Sequence, residues 1–145
     1  MGSEMCIRDR MYDYAEEGVE RDIYKAIEWY TAAAHQNEEN AQYNLAVIYD
    51  EGEGVAAEDQ KAVYWYQRAA QLGEDNAQTN LGVMYFNGEG IDEDIVESLA
   101  WTYLGAEAEN EFAIKNIPEF ENDASARQIR RAKRRADELR SAMRK

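Results

Sequence analysis

The sequence predicts an all-α fold, a stack of about three helix pairs followed by a C-terminal capping helix. The main observation is a period of 36 residues. Asn44–Tyr49 (NLAVIY) returns as Asn80–Tyr85 (NLGVMY), and Gly52–Val55 (GEGV) returns as Gly88–Ile91 (GEGI). A fixed period of this length is typical of arrays in which each unit buries its apolar face against its neighbours. Such arrays usually present a surface to a partner, so the period also favours binding as the function.

The first helix of the central unit is predicted by apolar residues spaced three and four apart, such as Ala41, Leu45 and Ile48. Gly52 and Gly54 follow and are predicted to end it, because glycine allows the chain to turn sharply.

The second helix is predicted at about 58–72. Its apolar face holds two small and two large side chains: Ala62, Trp65, Tyr66 and Ala69. The alanines leave room for a neighbouring backbone, and the aromatic pair is expected to fill the space between helices.

The helix ends follow the same period. Acidic residues are predicted in the first turn of each second helix, where a carboxylate favours the helix dipole: Asp22, Glu58 and Asp94. Gly73 and its counterpart Asn37 are both suited to a left-handed residue after a helix. In the third unit this position is held by Glu109, and the unit departs from the pattern.

The C-terminal part departs further. Thr102 stands where the preceding unit has Tyr66, and Pro118 is predicted to stop or kink its helix because it lacks an amide hydrogen. A capping helix is expected over 123–144. Its apolar side would hold Ile129, Ala132, Ala136, Leu139 and Met143.

Three regions are therefore predicted. Residues 1–10 do not match the repeat and are interpreted as a leader that is a tag, an artefact or a truncation; residues 11–122 form the repeats; and 123–145 form the cap. The start has no apolar stretch typical of a signal peptide, and no run of about 18 apolar residues predicts a membrane span. We expect a cytoplasmic location for the chain as it stands and leave export of its natural parent open. One cysteine, Cys6, allows no internal disulfide.

Charge is distributed unevenly along the chain. The formal net charge is −14. Residues 125–145 carry nine Lys and Arg against Asp137 and Glu138, a balance of +7. The remaining residues therefore sum to −21, and we expect them to repel nucleic acid and anionic membranes.

The repeated residues resemble the Sel-one-like repeat family, which is related to tetratricopeptide repeats. The family motif, Leu-Gly-x-Met-Tyr-x-x-Gly-x-Gly-Val followed by Lys-Ala-x-x-Trp-Tyr-x-x-Ala-Ala, is matched by residues 81–91 and 61–70. The resemblance covers about residues 11–144 and implies a right-handed, tetratricopeptide-like α-α superhelix. It also implies an adaptor or scaffold function, and the segment from Lys115 to Gln128 resembles the usual ending of bacterial members.

By analogy with tetratricopeptide arrays, the first helices would line a concave wall that binds a protein or peptide. The candidate wall residues are Asn40, Tyr43, Asn44, Val47, Asp50, Asn76, Thr79, Asn80, Val83 and Phe86. Asn44 and Asn80 could bind a peptide backbone, with Tyr43 and Phe86 adding contact area. The alternative, which we favour, is that both asparagines bridge helices within the fold. The wall lacks Lys and Arg, so we expect a basic or neutral partner.

Catalysis, metals and cofactors are not expected. His35, the single histidine, has no Ser, Cys or carboxylate at a catalytic spacing. The acidic glycine loops lack the ligand spacing of an EF-hand, and neither resembles a phosphate-binding loop. A hydrolase, the activity attributed to some exported cysteine-rich relatives, is the rival class, but this chain lacks their cysteines.

The basic C-terminal helix has two interpretations. Four arginines could contact phosphate or an anionic surface: Arg127, Arg130, Arg131 and Arg134. We favour the alternative, in which the helix neutralises the acidic body, and do not expect nucleic acid as a partner because no aromatics interleave the basic residues. The partner and the oligomeric state are left open.

Overall fold

The computed structural model describes residues 23–36, 38–51 and 58–143. This part of the chain contains seven helices and no strand, which confirms the all-α prediction. The helices are α1 (Ile23–Ala34), α2 (Glu39–Glu51), α3 (Asp59–Gln71), α4 (Asp75–Asn87), α5 (Ile95–Glu107), α6 (Glu111–Asn122) and α7 (Ala126–Met143).

The helices form a right-handed α-α superhelix of stacked pairs. The two described pairs are α2 with α3 and α4 with α5, and α3 also packs on α4, which joins one pair to the next. Helix α1 packs on α2 as the second helix of the preceding unit, while α6 and α7 both pack on α5. The last two described helices therefore pack on the same helix.

Hydrogen bonds repeat with the period of the sequence. The amide of Glu58 donates to the carbonyl of Tyr49 at 2.8 Å, and that of Asp94 donates to Tyr85 at 2.9 Å. Both members of the second bond are displaced by 36 residues from those of the first. The two helix pairs are thus closed by the same backbone bond, as the sequence period predicts.

A buried glutamine links each described unit to the one before it. Gln42 Nε2 donates to the carbonyl of Ala34 at 2.9 Å, and Gln78 Nε2 donates to that of Ala70 at 3.1 Å. These carbonyls lie in the last turn of a helix, where backbone acceptors lack a partner within the helix. The next position in the series is Ile114, which cannot make this bond.

The predicted helix ends are close to the observed ones. Glu58 and Asp94 lie one residue before the first turn in which they were expected, as N-caps. Asp94 accepts from the amides of Val96 and Glu97, whereas Glu58 makes no such bond and pairs with Lys61 at 3.2 Å. Asp22 lies outside the described residues.

Left-handed residues follow two helices at equivalent positions. Gly73 has φ +95°, and Glu109, 36 residues later, has φ +64°. The third unit therefore keeps the backbone conformation although it has lost the glycine. Asn37, the third member of the series, lies outside the described residues.

The predicted face of α3 is buried. Trp65, Tyr66 and both alanines belong to the main apolar core, with Ala62 and Ala69 fully enclosed. Where Thr102 stands in place of the tyrosine, the backbones of the helices lie closer together. Gly82 permits this approach, because a Cβ at that position would overlap Thr102 Oγ1.

Two predictions for the C-terminal region are corrected. Pro118 does not end its helix, since α6 continues to Asn122 with Pro118 on its exposed side and Ala113 and Phe120 buried. The capping helix begins at Ala126 and not at residue 123. Ser125 Oγ accepts from the amide of Gln128 and Gln128 Oε1 accepts from that of Ser125, a reciprocal capping box.

The apolar side of α7 is as predicted. Ala132, Ala136 and Leu139 are buried, and Ile129 and Met143 pack partly buried against the cores.

Replacing Trp65 with alanine is expected to lower the free energy of unfolding by about 3–5 kcal/mol, because the ring is buried between helices and lies 5.6 Å from the His35 ring. Denaturant unfolding followed by circular dichroism measures this. An unchanged midpoint would contradict the packing.

Replacing Glu109 with glycine is expected to raise the free energy of unfolding by about 1 kcal/mol. A left-handed non-glycine residue costs about 1–2 kcal/mol, and the entropy of glycine in the unfolded chain offsets part of the gain. Gly73→Ala is the matched opposite, since a Cβ there meets no atom within 4 Å and only the backbone strain is added. If both variants unfold at the wild-type midpoint, the left-handed assignment is wrong.

Candidate interaction surface

Four side chains on three helices form a polar cluster on the face predicted to be concave. Tyr66 of α3 donates its hydroxyl to Asp50 Oδ2 of α2 at 3.2 Å, and Asn80 of α4 donates to the Tyr66 hydroxyl oxygen at 3.3 Å. The ring of Tyr43 lies 5.9 Å from that of Tyr66. We call Tyr43, Asp50, Tyr66 and Asn80 the tyrosine cluster. It spans two neighbouring units.

Burial and negative charge shape the electrostatics of this cluster. Burial raises the pKa of Asp50 above its ordinary value, opposed by the Tyr66 hydrogen bond and assisted by the nearby carboxylates of Glu89 and Asp59. Burial also raises the pKa of Tyr43, and Glu74 adds to the effect. Among the described residues, no Lys or Arg contributes to either shift. A cation placed here would therefore be attracted.

The remaining candidates on α2 are less engaged. Asn40 is exposed, and its amide donates to Glu38 Oε1 at the start of the helix. Asn44 is half-buried beside the tyrosine cluster along α2, and Val47 packs partly buried against the main core.

The candidates on α4 are mostly committed to the fold. Asn76 is exposed but accepts from Asn110 Nδ2 at 2.9 Å. Thr79 is only 3% exposed, so it cannot reach a partner; a Cβ on Gly105 would lie 2.6 Å from its Oγ1. The ring of Phe86 stacks at 4.1 Å on Phe120 of α6.

Val83 packs, partly buried, into the same C-terminal apolar cluster as Phe86 and Phe120. The accessible part of the predicted wall therefore lies mainly on α2.

Sequence reasoning missed the role of Tyr66 as the centre of the cluster, having assigned it to packing alone. The available signal was its hydroxyl, because a buried tyrosine usually finds a hydrogen-bond partner. For Asn80, the favoured interpretation as a bridge between helices agrees with its bond to Tyr66.

The arginines of α7 divide into two groups. Arg135 Nε donates to Glu97 at 2.6 Å and Arg140 Nε donates to Glu107 at 3.0 Å, so both neutralise carboxylates of α5. The other four are exposed and form no ion pair within the described part of the chain: Arg127, Arg130, Arg131 and Arg134. We call these four the arginine patch. The internal role that we favoured from sequence accounts for the first group only.

A cleft of about 840 Å³ lies between the start of α5 and α7. Its wall on α7 carries Arg131, Arg134 and Arg135, and the facing wall carries Glu93 and Asp94. Because both signs of charge line it, the cleft shows no preference for an anion over a cation.

Other site types receive no support from the described residues. Within them, no group of three potential metal ligands occurs, and no helix is long and apolar enough to cross a membrane. The exposed His35 ring packs on Trp65.

A family model described as the Sel1 repeat matches residues 4–38, 40–74 and 75–110. These segments cover most of the chain. The first match begins within residues 1–10, so the predicted leader boundary stays a prediction. A comparison with curated proteins finds no match.

Two solved structures are similar to this chain. One is c5321, a protective antigen of uropathogenic Escherichia coli with an SLR fold, at 25% identity and a TM-score of 0.71 over 98% of this chain. The other is a Sel1 repeat protein from Oxalobacter formigenes, at 30% identity and a TM-score of 0.74 over 82%. The match spans 38% and 49% of those two chains.

Replacing Asp50 with asparagine is expected to stabilise the fold at neutral pH. Burial raises the folded pKa of Asp50, so the folded state carries a cost for the ionised carboxylate at any pH above that value. As the pH falls through the raised value towards the ordinary 3.8, the wild type takes up a proton and the difference should vanish.

Denaturant midpoints of both proteins between pH 7 and pH 3.5 measure this difference. Asparagine keeps an oxygen that can accept from Tyr66, so the hydrogen bond is preserved. An advantage that stays constant over the whole range would contradict the assigned cause.

Proposed function

Because the chain belongs to the Sel1 repeat family, whose members are generally protein-interaction scaffolds, we propose that it binds a partner protein without catalysing a reaction. The proposed site is the face formed by its first helices. The proposed ligand is a basic or neutral segment of the partner.

The tyrosine cluster carries this proposal. Asp50 is half-buried, no Lys or Arg among the described residues contributes to the shift of its pKa, and its ionised form is disfavoured where it lies. A lysine or arginine from a partner would supply the missing positive charge and would strengthen the ionised state.

Contact area is available beside this charge. Tyr43 is half-buried, and tyrosine is among the residues enriched at binding hot spots because it offers a large rigid ring with a polar edge. The side chain of Asn44, on the same helix, forms no hydrogen bond with another described residue and could pair with the partner's backbone.

The scaffold holds this surface rigidly. Tyr66, which touches Asp50 and Asn80, is almost completely buried in the core between the two units. Since the cluster joins α2, α3 and α4, a bound segment would contact two units whose spacing is fixed by packing. Rigid placement lowers the entropy lost on binding.

Selection from a displayed library of random peptides tests the proposal. We expect enrichment of Lys and Arg, and fluorescence anisotropy then gives the affinity of the selected peptides. Tyr43→Ala should weaken binding about tenfold or more, as expected for a hot-spot residue. Asp50→Asn should reduce the preference for basic peptides.

Tyr64→Ala is the matched control. Tyr64 is a 48% exposed tyrosine on α3, two residues and therefore about 200° away from Tyr66 around the helix. Its removal should leave the affinity unchanged. Selection of acidic peptides, or equal losses for Tyr43→Ala and Tyr64→Ala, would reject this face as the site.

A further inference from the structure

An aromatic and basic surface lies on the side of α3 that faces away from the tyrosine cluster. Tyr64 is 48% exposed, and its ring is T-shaped to that of Trp65, with 4.9 Å between the centroids. The guanidinium of Arg68 lies over both rings, at 5.7 and 5.8 Å from their centroids. Lys61 is exposed three residues before Tyr64. We call Lys61, Tyr64 and Arg68 the outer face of α3. Tyrosine, tryptophan and arginine are the residues most enriched at binding hot spots.

The next unit shows how the same side of the repeat is covered. The residues of α5 that are equivalent to Tyr64 and Arg68, 36 positions later, are Ala100 and Leu104. Both are buried in the same apolar cluster as Ala136 of α7, the helix that packs on α5. A helix is therefore a shape that this side of the repeat accommodates.

An ion pair between α7 and α5 has its equivalent position on α3 occupied by the opposite charge. Glu97 of α5 accepts from Arg135 of α7 at 2.6 Å. Lys61 stands one unit earlier at the position of Glu97. A helix placed on α3 as α7 lies on α5 would therefore favour an acidic residue where α7 has Arg135. Lys61 pairs with Glu58 at 3.2 Å, but both side chains are exposed, and such a surface pair contributes little to stability.

Positive charge is rare in the body of the protein, and most of it lies on this face. Residues 26–122 contain three basic residues: Lys61, Arg68 and Lys115. The first two are seven residues apart, so they share one side of α3 and are about 10 Å apart along its axis. Asp59 is the single acidic residue within α3, and its charge acts on Asp50, which belongs to the tyrosine cluster. The outer face of α3 therefore suits an acidic partner.

We propose that the outer face of α3 binds an amphipathic helix of a partner protein, with an acidic residue opposite Lys61. Small residues are favoured on its contact side, because Tyr64 and Arg68 are larger than the residues that α7 covers on α5. The bound helix would remove the Tyr64 ring from water, and its carboxylate would lie between two basic side chains. This site is separate from the tyrosine cluster and does not depend on it.

Two other occupants fit this face less well. Single-stranded nucleic acid could stack on Tyr64, but its phosphates would approach a body whose balance is −21 outside residues 125–145. A second copy of the chain could present the exposed side of its α7, but that side carries the arginine patch, which Lys61 and Arg68 would repel. An acidic helix satisfies both the ring and the charges.

Selection from a displayed library of 18-residue helices, the length of α7, tests the proposal. The library keeps the alanines of α7 at positions 132 and 136 and its leucine at 139, and randomises positions 135 and 140 together with the exposed positions. With the full chain as the target, we expect Asp or Glu to be enriched at position 135. No charge preference is expected at position 140, because Gln71 stands where α5 has Glu107.

Variants of the full chain then locate the bound helix by fluorescence anisotropy. Tyr64→Ala should raise the dissociation constant of a selected helix about tenfold or more, as expected for a hot-spot residue. Lys61→Glu should also weaken it, and this variant should prefer a helix with arginine at position 135. Both residues are exposed, so the fold should be kept, and circular dichroism melting checks this. Tyr43→Ala, in the tyrosine cluster, is the matched control and should leave the affinity unchanged.

The proposal is wrong if no helix is enriched, if basic residues are selected at position 135, or if Tyr64→Ala leaves the affinity unchanged. It is also wrong if the charge change at Lys61 does not change the preferred residue. Selected helices that depend on Tyr43 would belong to the tyrosine cluster instead, and self-association of the chain that Tyr64→Ala abolishes would assign the face to a second copy. None of these outcomes bears on the basic peptides expected at α2, which come from a separate selection.

Discussion

The buried hydrogen bond from a glutamine to the end of the preceding helix is the interaction on which the stack depends. Gln42 and Gln78 are both buried, and each donates to a carbonyl in the previous unit. Replacing the glutamine would remove a buried hydrogen bond, which usually contributes about 0.5–1.5 kcal/mol. The Ala70 carbonyl would keep only the bond from the amide of Gly73 at 3.1 Å. The bond fixes the distance and rotation between units. Apolar packing around it adds stability but does not by itself determine which residues of neighbouring units face each other. At the next equivalent position stands Ile114, which is 52% exposed and cannot donate this hydrogen bond. The regular pairing of helices does not continue past this position.

Small residues set how closely the helices approach once the register is fixed. A side chain on Gly82 would collide with Thr102, and one on Gly105 would lie 2.6 Å from Thr79 Oγ1. In the preceding unit the equivalent positions combine alanine with Tyr66. In the third unit a large aromatic side chain is replaced by Thr102, and the backbones of the helices lie closer together. The smaller Thr79 is buried between helices, whereas its counterpart Tyr43 remains half-exposed. Because of this difference, the tyrosine cluster has no equivalent one unit later, where Thr79 and Thr102 stand in place of Tyr43 and Tyr66.

Periodicity was enough to predict the helices, their order and most of their ends, because those features depend on residues that keep the 36-residue spacing. The left-handed backbone at Glu109 was not expected from its residue type, yet it follows the frame set by Gly73. The site residues were harder to predict. Whether Thr79 or Phe86 is accessible to a partner depends on which side chains of the neighbouring helices cover it, and those side chains differ between units. The helix stop predicted at Pro118 is wrong for a related reason: Phe120, beyond the proline, belongs to the same helix and is buried against Phe86.

Residues that work against local stability are more informative about function than residues that support it. Asp50 accepts a hydrogen bond from Tyr66, but burial disfavours the charge of its carboxylate. The four arginines of the arginine patch lie three and four residues apart in the first half of α7, where like charges repel. Asn or Gln would serve the same backbone at either place with less cost. The two features have opposite sign and lie at different parts of the stack, so one ligand cannot account for both. The basic segment proposed at α2 would supply the positive charge that Asp50 lacks, and natural proteins usually depart from local consistency at functional sites.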